Sequence, residues 1–318
     1  MNKSLDRLRP HILVDGFEMV ADLKKSKGSY VYDALTGKRF LDMYTYFASL
    51  PLGHNHPMMF ESDFLDELQR AAIANPANSD VYTKEFADFV ETFTSFCGKD
   101  FRHFFFVGGG AVAVENALKT AFDWKAKKNQ AAGIAPQRDL CVIHFEQAFH
   151  GRTGYAMSIS SANTVHTDGF PRFNWPRVLN PKVKFPLSAE NLEVVKKAED
   201  TALSQIGSAL SEFGAAVAAV IAEPVQGEGG DNHFRREFLA KLKEIADEND
   251  LLLIFDEVQT GFGLTGSIWA YEHSGVVPDI LVFGKKTQVC GIMAGEKVAQ
   301  VPDNVFTKSG RINSTWGG

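Results

Sequence analysis

The chain has 318 residues, 45% hydrophobic and 23% charged, with a formal net charge of −6 and both signs interspersed. That allows a large core and argues against a nucleic-acid or anionic-membrane surface as the main business. Three scattered cysteines (Cys97, Cys141, Cys290), no apolar segment of signal-peptide type and no run of about 18 apolar residues exclude a disulfide framework, a C-x-x-C metal pair and a membrane span, and predict a soluble cytoplasmic protein.

In chain order, "GSYVYDALTGKRFLDM" reads as two short strands around the turn Leu35-Thr36-Gly37. "HPMMFESDFLDELQRAAI" predicts a helix beginning after Pro57. "SDVYTKEFADFVETFTSF" predicts another, capped by Ser79 or Asp80, with Phe86, Phe89, Val90 and Phe93 on one face. From about residue 103 strands and helices alternate. "HFFFV", "LCVIHFE", "AAVAAVIAEP", "LLLIFDE" and "PDILVFG" are near-continuous apolar strands, and "AVAVENALKTAFDWKAK" and "REFLAKLKEIADEND" are helices between them. Such alternation is the mark of an α/β fold with a mostly parallel sheet covered on both faces.

The chemistry-bearing residues stand at strand ends, where open α/β sheets bind ligands. "FFFVGGGAVAVENALKTA" runs a strand through glycines into a helix, a geometry that offers backbone amides and a helix dipole to a phosphate. Gly108, Gly110 and Ala113 also satisfy a loose dinucleotide fingerprint, but no acid stands about 20 residues further on. A glycine turn that lets the helix pack closely fits the same letters. In "HFEQAFHGRTGY", Phe149 and Arg152 could stack on a ring and hold a carboxylate, but this stretch alone reads more simply as a core Phe and a surface Arg. "VIAEPVQGEGG" sets Glu223 and Glu228 just past a strand, Glu228 in a tight loop or simply in solvent. Asp256 ends "LLLIFD", where a buried carboxylate needs a cation such as a pyridinium, and Gln259 follows close enough to touch the same ring. "PDILVFGKKTQVCG" presents Lys285 and Lys286; on these letters alone a pair of solvated loop lysines is the simpler reading, and in the functional one, one lysine of an extended segment should face the site as a nucleophile and the other the exterior.

Taken together and in order, the glycine loop, "FHGRT", "AEPVQGEGG", "FDEVQTGFGLTG" and "PDILVFGK" resemble the class III pyridoxal-phosphate aminotransferases over essentially the whole chain. Within that family "VDGFEMV", "YFASLPLGHNHP", "ENALKTAFDWKAKKN", "FGKKTQVCG" and "NSTWGG" resemble the L-lysine 6-aminotransferases. The resemblance implies fold type I: residues 1–50 as the N-terminal segment of a small domain, 51–300 as the large cofactor domain and 301–318 as the return toward an incomplete small domain. It implies pyridoxal 5′-phosphate as cofactor, with Lys285 as the Schiff-base lysine and Lys286 as second choice. Asp256 would pair with the pyridine nitrogen, Phe149 stack on the ring, Gln259 contact its face or O3′, and the Gly110 and Ala111 amides bind the phosphate. Thr315 would reach the phosphate in a neighbouring subunit, which makes a homodimer part of the site. The implied reaction moves the ε-amino group of L-lysine to 2-oxoglutarate. Arg152 would hold the donor's α-carboxylate, Glu228 would act as a switch acid over a second arginine, and Phe47 and Asn313 would line the pocket. Gly108 departs from the family, which has an acid or other polar residue there, and the family continues beyond "STWGG", so the chain reads as C-terminally truncated and short of that second arginine. Other ω-aminotransferases, of ornithine, acetylornithine or 4-aminobutyrate type, and a non-catalytic cofactor-binding fragment are the alternatives.

Overall fold

Alternation of side chains along the strands decides the architecture. In "LLIFD", Leu253 and Phe255 enter one apolar core while Leu252 and Ile254 enter the other. A strand buried on both faces must lie inside a sheet with layers on each side. A computed structural model of the chain describes residues 3–137 and 139–318. It divides into two compact units, Met1–Pro76 and Ala77–Gly318.

The first unit holds α1 (Ser4–Leu8), β1 (Tyr30–Tyr32), β2 (Arg39–Leu41), the short α2 (Thr45–Ala48) and α3 (Ser62–Ala74). β1 and β2 pair antiparallel as expected, Tyr30 opposite Leu41. Their turn is organised by Asp33, whose carboxylate accepts from the Val20, Leu35 and Thr36 amides and the Thr36 hydroxyl. α3 begins at Ser62, not after Pro57: Pro57–Phe60 forms a separate 3-10 turn that ends at the extended Glu61. Among the described residues no apolar side chain of this unit is buried.

The second unit is built on α4 (Lys84–Cys97), β3 (His103–Val107), α5 (Gly110–Ala131), β4 (Cys141–Phe145), α6 (Gly154–Ser158), β5 (Arg177–Val178), α7 (Ala189–Phe213), β6 (Val217–Ala222), β7 (Val225–Gln226), β8 (Asn232–His233), α8 (Arg236–Glu248), β9 (Leu252–Asp256), α9 (Tyr271–Ser274), β10 (Ile280–Phe283), β11 (Cys290–Ala294) and α10 (Glu296–Ala299). Seven strands form one sheet in the order β3-β11-β10-β9-β6-β4-β5. β11 runs antiparallel to both neighbours; the remaining pairs are parallel. α5 packs on one face through Val114, Leu118 and Trp124. α4, α7 and α8 cover the other through Phe93, Ile206 and Leu242.

Two further details differ from the sequence reading. α4 is capped by Thr83, whose side chain accepts from the Phe86 amide, and not by Ser79 or Asp80. α7 was not legible as a helix, because its inner face is mostly small and carries the buried Glu199, neutralised by Arg235 at 2.9 and 2.7 Å. The first compact unit ends at Pro76, and residues 301–318 lie in the second. The reason for the latter is main-chain pairing: Phe106 and Gly318 exchange N–H···O bonds of 2.8 and 3.0 Å along the outer edge of β3.

Candidate active site

The parallel strands end together, so their following loops meet at one edge of the sheet. Glycines let these loops touch. A Cβ on Gly110 would stand 3.0 Å from Val258 Cγ1, and one on Gly227 would stand 2.8 Å from Gln259 Cγ. On Gly151, with φ +131°, it would stand 2.4 Å from the Ala111 Cβ. These three approaches bring the β3, β4, β6 and β9 loops into one cluster.

Asp256 closes β9 and is buried. Its Oδ2 lies 2.8 Å from His150 Nδ1, and its Oδ1 accepts from the Val258 amide at 3.1 Å. The His150 side chain is fully enclosed, and its Nε2 has no hydrogen-bond partner among the described residues. Desolvation opposes charge on His150, but the hydrogen bond and the Asp256 charge outweigh it and raise its proton affinity above that of an ordinary imidazole. The neighbouring Glu257 faces elsewhere: it accepts from the Ala270 and Tyr271 amides at 2.6 and 2.9 Å and anchors the start of α9.

Lys285 follows β10 and is half-buried. Burial lowers its basicity, and the charges of Asp256, Glu223 and Glu228 act on it in the opposite sense. Its Nζ donates to Gln259 Oε1. Lys286 does not face the exterior. It is buried, donates to the Gln259 carbonyl at 2.6 Å, and has its ammonium pKa pushed down to about 8 by desolvation. The expectation of opposite orientations assumed an extended chain, whereas Lys285–Thr287 is a 3-10 turn with Lys285 at φ +51°. That bend turns both amines toward Gln259.

The sequence places Glu223 at a strand end without indicating a role; the structure does. Its two carboxylate oxygens accept from the Phe149 amide at 2.9 Å and the Gly227 amide at 3.2 Å. It therefore ties the Phe149 loop to the Glu228 loop, and its burial pushes its carboxyl up to about 7. A buried imidazole beside a strand-end Asp is invisible in a sequence that separates them by 106 positions.

Phe149 is half-buried in its loop, and Arg152 and Glu228 are exposed. Gly110 and Ala111 open α5. Among the described residues the Gly110, Ala111 and Val112 amides have no protein acceptor, as the first turn of a helix requires. Asn313 caps its own loop, accepting from the Gly310 amide at 3.0 Å. Thr315 is exposed in the Ser314–Gly317 turn. Phe47 lies in the first unit, packed edge-on against Tyr44 with centroids 4.8 Å apart.

The Aminotransferase class-III family model matches residues 14–318. The L-lysine-epsilon aminotransferase of Mycobacterium tuberculosis is 52% identical over 96% of this chain and 68% of that protein. The 4-aminobutyrate aminotransferase of Kluyveromyces lactis is 35% identical over 86% of this chain and 61% of its own length. Among solved structures, lysine aminotransferase from M. tuberculosis in the internal aldimine form superposes with a TM-score of 0.95 at 50% identity, covering 99% of this chain and 72% of that one. Pyridoxal 5′-phosphate is the cofactor of such enzymes, and the residues here fit it. Free amides at the start of α5 suit a phosphate. The enclosed Asp256 suits a ring cation, and the amine of Lys285 lies within the field of that carboxylate. With a family model matched across residues 14–318 and this cluster at the sheet's carboxyl edge, the chain belongs to the class-III aminotransferase family and uses pyridoxal phosphate.

Proposed function

We propose that the protein transfers the ε-amino group of L-lysine to 2-oxoglutarate, giving the 6-semialdehyde, which cyclises, and glutamate. The observation that carries this reading is the 52% identity to a lysine-epsilon aminotransferase against 35% to a 4-aminobutyrate enzyme, each over most of the chain.

When bound, the cofactor supplies a reactive carbonyl and an electron-withdrawing ring. The chain's own residues do the rest. The Gly110 and Ala111 amides hold the phosphate. Asp256, fixed by His150 and the Val258 amide, offers its anion to the ring nitrogen. Phe149, its backbone amide pinned by the Glu223 carboxylate, would pack against the cofactor ring. Lys285, kept less basic by burial, would be the amine that engages the cofactor carbonyl and, acting as base, the group that moves the proton in the transfer. Gln259 steadies that amine. Arg152 pairs with the α-carboxylate of lysine, which the ε-amine keeps far from the ring. Glu228 serves as the switch acid between the two substrates.

A homodimer completes the proposal. Its support is the first unit, where α3 buries none of its residues and leaves Phe64, Leu65 and Leu68 exposed. Thr315 and Asn313 then serve a site shared between subunits. A cytoplasmic setting agrees with the three free cysteines. The deciding assay supplies L-lysine, L-ornithine or 4-aminobutyrate with 2-oxoglutarate and pyridoxal phosphate, and measures glutamate. Lysine should be preferred at least tenfold in kcat/KM; equal or better use of ornithine would replace lysine as the donor.

A further inference from the structure

Arg152 is not held by its own loop alone. Its Nη2 lies 3.0 Å from His166 Nε2. A guanidinium has donors and no acceptor, so the imidazole nitrogen must accept this bond, and neutral His166 is the Nδ1–H tautomer. The same imidazole sets itself edge-on to Phe149, with ring centroids 5.5 Å apart at 65°. One side chain thus touches both the aromatic ring of the cofactor loop and the arginine beside it.

The chain is folded back to make this contact. The Ser161 and Ala162 amides donate to the Ala148 carbonyl at 2.7 and 3.0 Å. The Ser160 hydroxyl accepts from the His150 amide at 2.9 Å. Asn163 then caps the 3-10 turn Thr164–His166 by accepting from the Val165 amide at 3.0 Å. These bonds fasten the segment after α6 to the loop that carries Phe149 and Arg152, and so deliver His166 to both.

We propose that His166 is a positioning residue for donor selection, aiming the Arg152 guanidinium at the α-carboxylate of the amino donor. The inference rests on the reading of Arg152 as the carboxylate-binding arginine. A guanidinium on a flexible side chain sweeps a wide arc, and a bidentate pair needs one plane and one direction. A bond accepted from one Nη2 hydrogen fixes that plane and leaves the other donors of the fork for the carboxylate. The Phe149 contact keeps the imidazole from following the arginine away.

The test compares His166→Leu, which accepts nothing, with His166→Gln, whose side-chain oxygen replaces the accepting Nε2. Two donors are used with the cofactor-loaded protein: L-lysine, and cadaverine, which has the same amine and chain but no carboxylate. His166→Leu should raise KM for lysine about tenfold with kcat little changed, the loss expected for one hydrogen bond to a charged group. The kcat/KM for cadaverine should stay the same. His166→Gln should recover most of the lysine KM. Calorimetric binding of hexanoate, which carries the carboxylate and no amine, should weaken about tenfold in His166→Leu and recover in His166→Gln, a readout independent of turnover. Equal losses on lysine and cadaverine, or no rescue by Gln, would reduce His166 to a structural residue and overturn the proposal. Arg152→Ala provides the separate control. If it leaves the preference for lysine over cadaverine intact, the assignment of Arg152 is what has failed, and the role of His166 falls with it.

Discussion

His150 and Asp256 are joined by a 2.8 Å contact between Nδ1 and Oδ2, deep enough that both side chains are almost wholly out of solvent. A buried carboxylate needs a partner to offset its desolvation, and His150 supplies one while fixing its direction. His150→Leu should therefore weaken cofactor retention by roughly tenfold or more, since breaking a buried charged pair costs several kcal/mol. Equilibrium titration with pyridoxal phosphate, followed by its absorbance, measures this. An unchanged dissociation constant would mean that Asp256 does not depend on His150.

Lys285 and Lys286 can be separated chemically. Borohydride reduction of the cofactor-loaded protein followed by peptide mapping should find the pyridoxyl group on Lys285. Lys285→Ala should abolish the adduct and turnover. Lys286→Ala should keep the adduct but lose about 1–3 kcal/mol of stability, because its buried bond to the Gln259 carbonyl is gone. An adduct on Lys286 would reverse the two roles.

Glu257 makes a prediction about pH. Burial pushes its carboxyl up to about 7 in spite of the Ala270 and Tyr271 amides. The folded protein then binds this proton more tightly than the unfolded chain. Its contribution is complete below the ordinary carboxylate range and is lost as pH rises through about 7. Glu223, also raised to about 7, acts in the same direction. His144, pushed down to about 3 by desolvation, acts oppositely, its contribution being lost as pH falls below the imidazole range. The difference in Tm between Glu257→Gln and the parent isolates the first effect. The variant should gain on the parent as pH rises from about 5 to about 7.5, and a constant difference would contradict the raised value.

Gly151 is irreplaceable on two counts, its φ of +131° and the 2.4 Å separation from the Ala111 Cβ. Gly151→Ala should destabilise the protein by about 2–4 kcal/mol, strain and overpacking together. It should also displace the start of α5 and loosen the cofactor. Gly108→Ala, with nothing within 4 Å of its Cβ and no positive φ, serves as the contrast and should be near neutral in chemical denaturation.

The apolar surface of α3 should mediate self-association. Leu68 is 49% exposed with Phe64 and Leu65 beside it. The parent should sediment at twice the chain mass, and Leu68→Glu should shift it toward the monomer. A monomeric parent would remove the dimer from the proposed function.

The amino-acid sequence by itself determined five of the seven strands of the main sheet, the α/β class and the short list of reactive residues, because strand burial and glycine loops leave local patterns. "LLLIFD" and "PDILVFGK" are legible since a two-sided strand has no room for polar residues until it ends. β11 is not legible: it pairs with β3, a strand nearly two hundred positions earlier, and Gly291 permits the close approach, since a Cβ there would stand 2.2 Å from the Phe105 carbonyl oxygen. α7 hides for a similar reason, as its buried Glu199 is neutralised only by Arg235. The site shows the same division. Asp256, Lys285 and Arg152 announce themselves by type and place. The parts of His150, Glu223 and His166 were decided by the tertiary structure, because each acts on a partner supplied by another segment. A hydrogen bond between distant positions has no local signature, and it exists only once the sheet has brought its loops together.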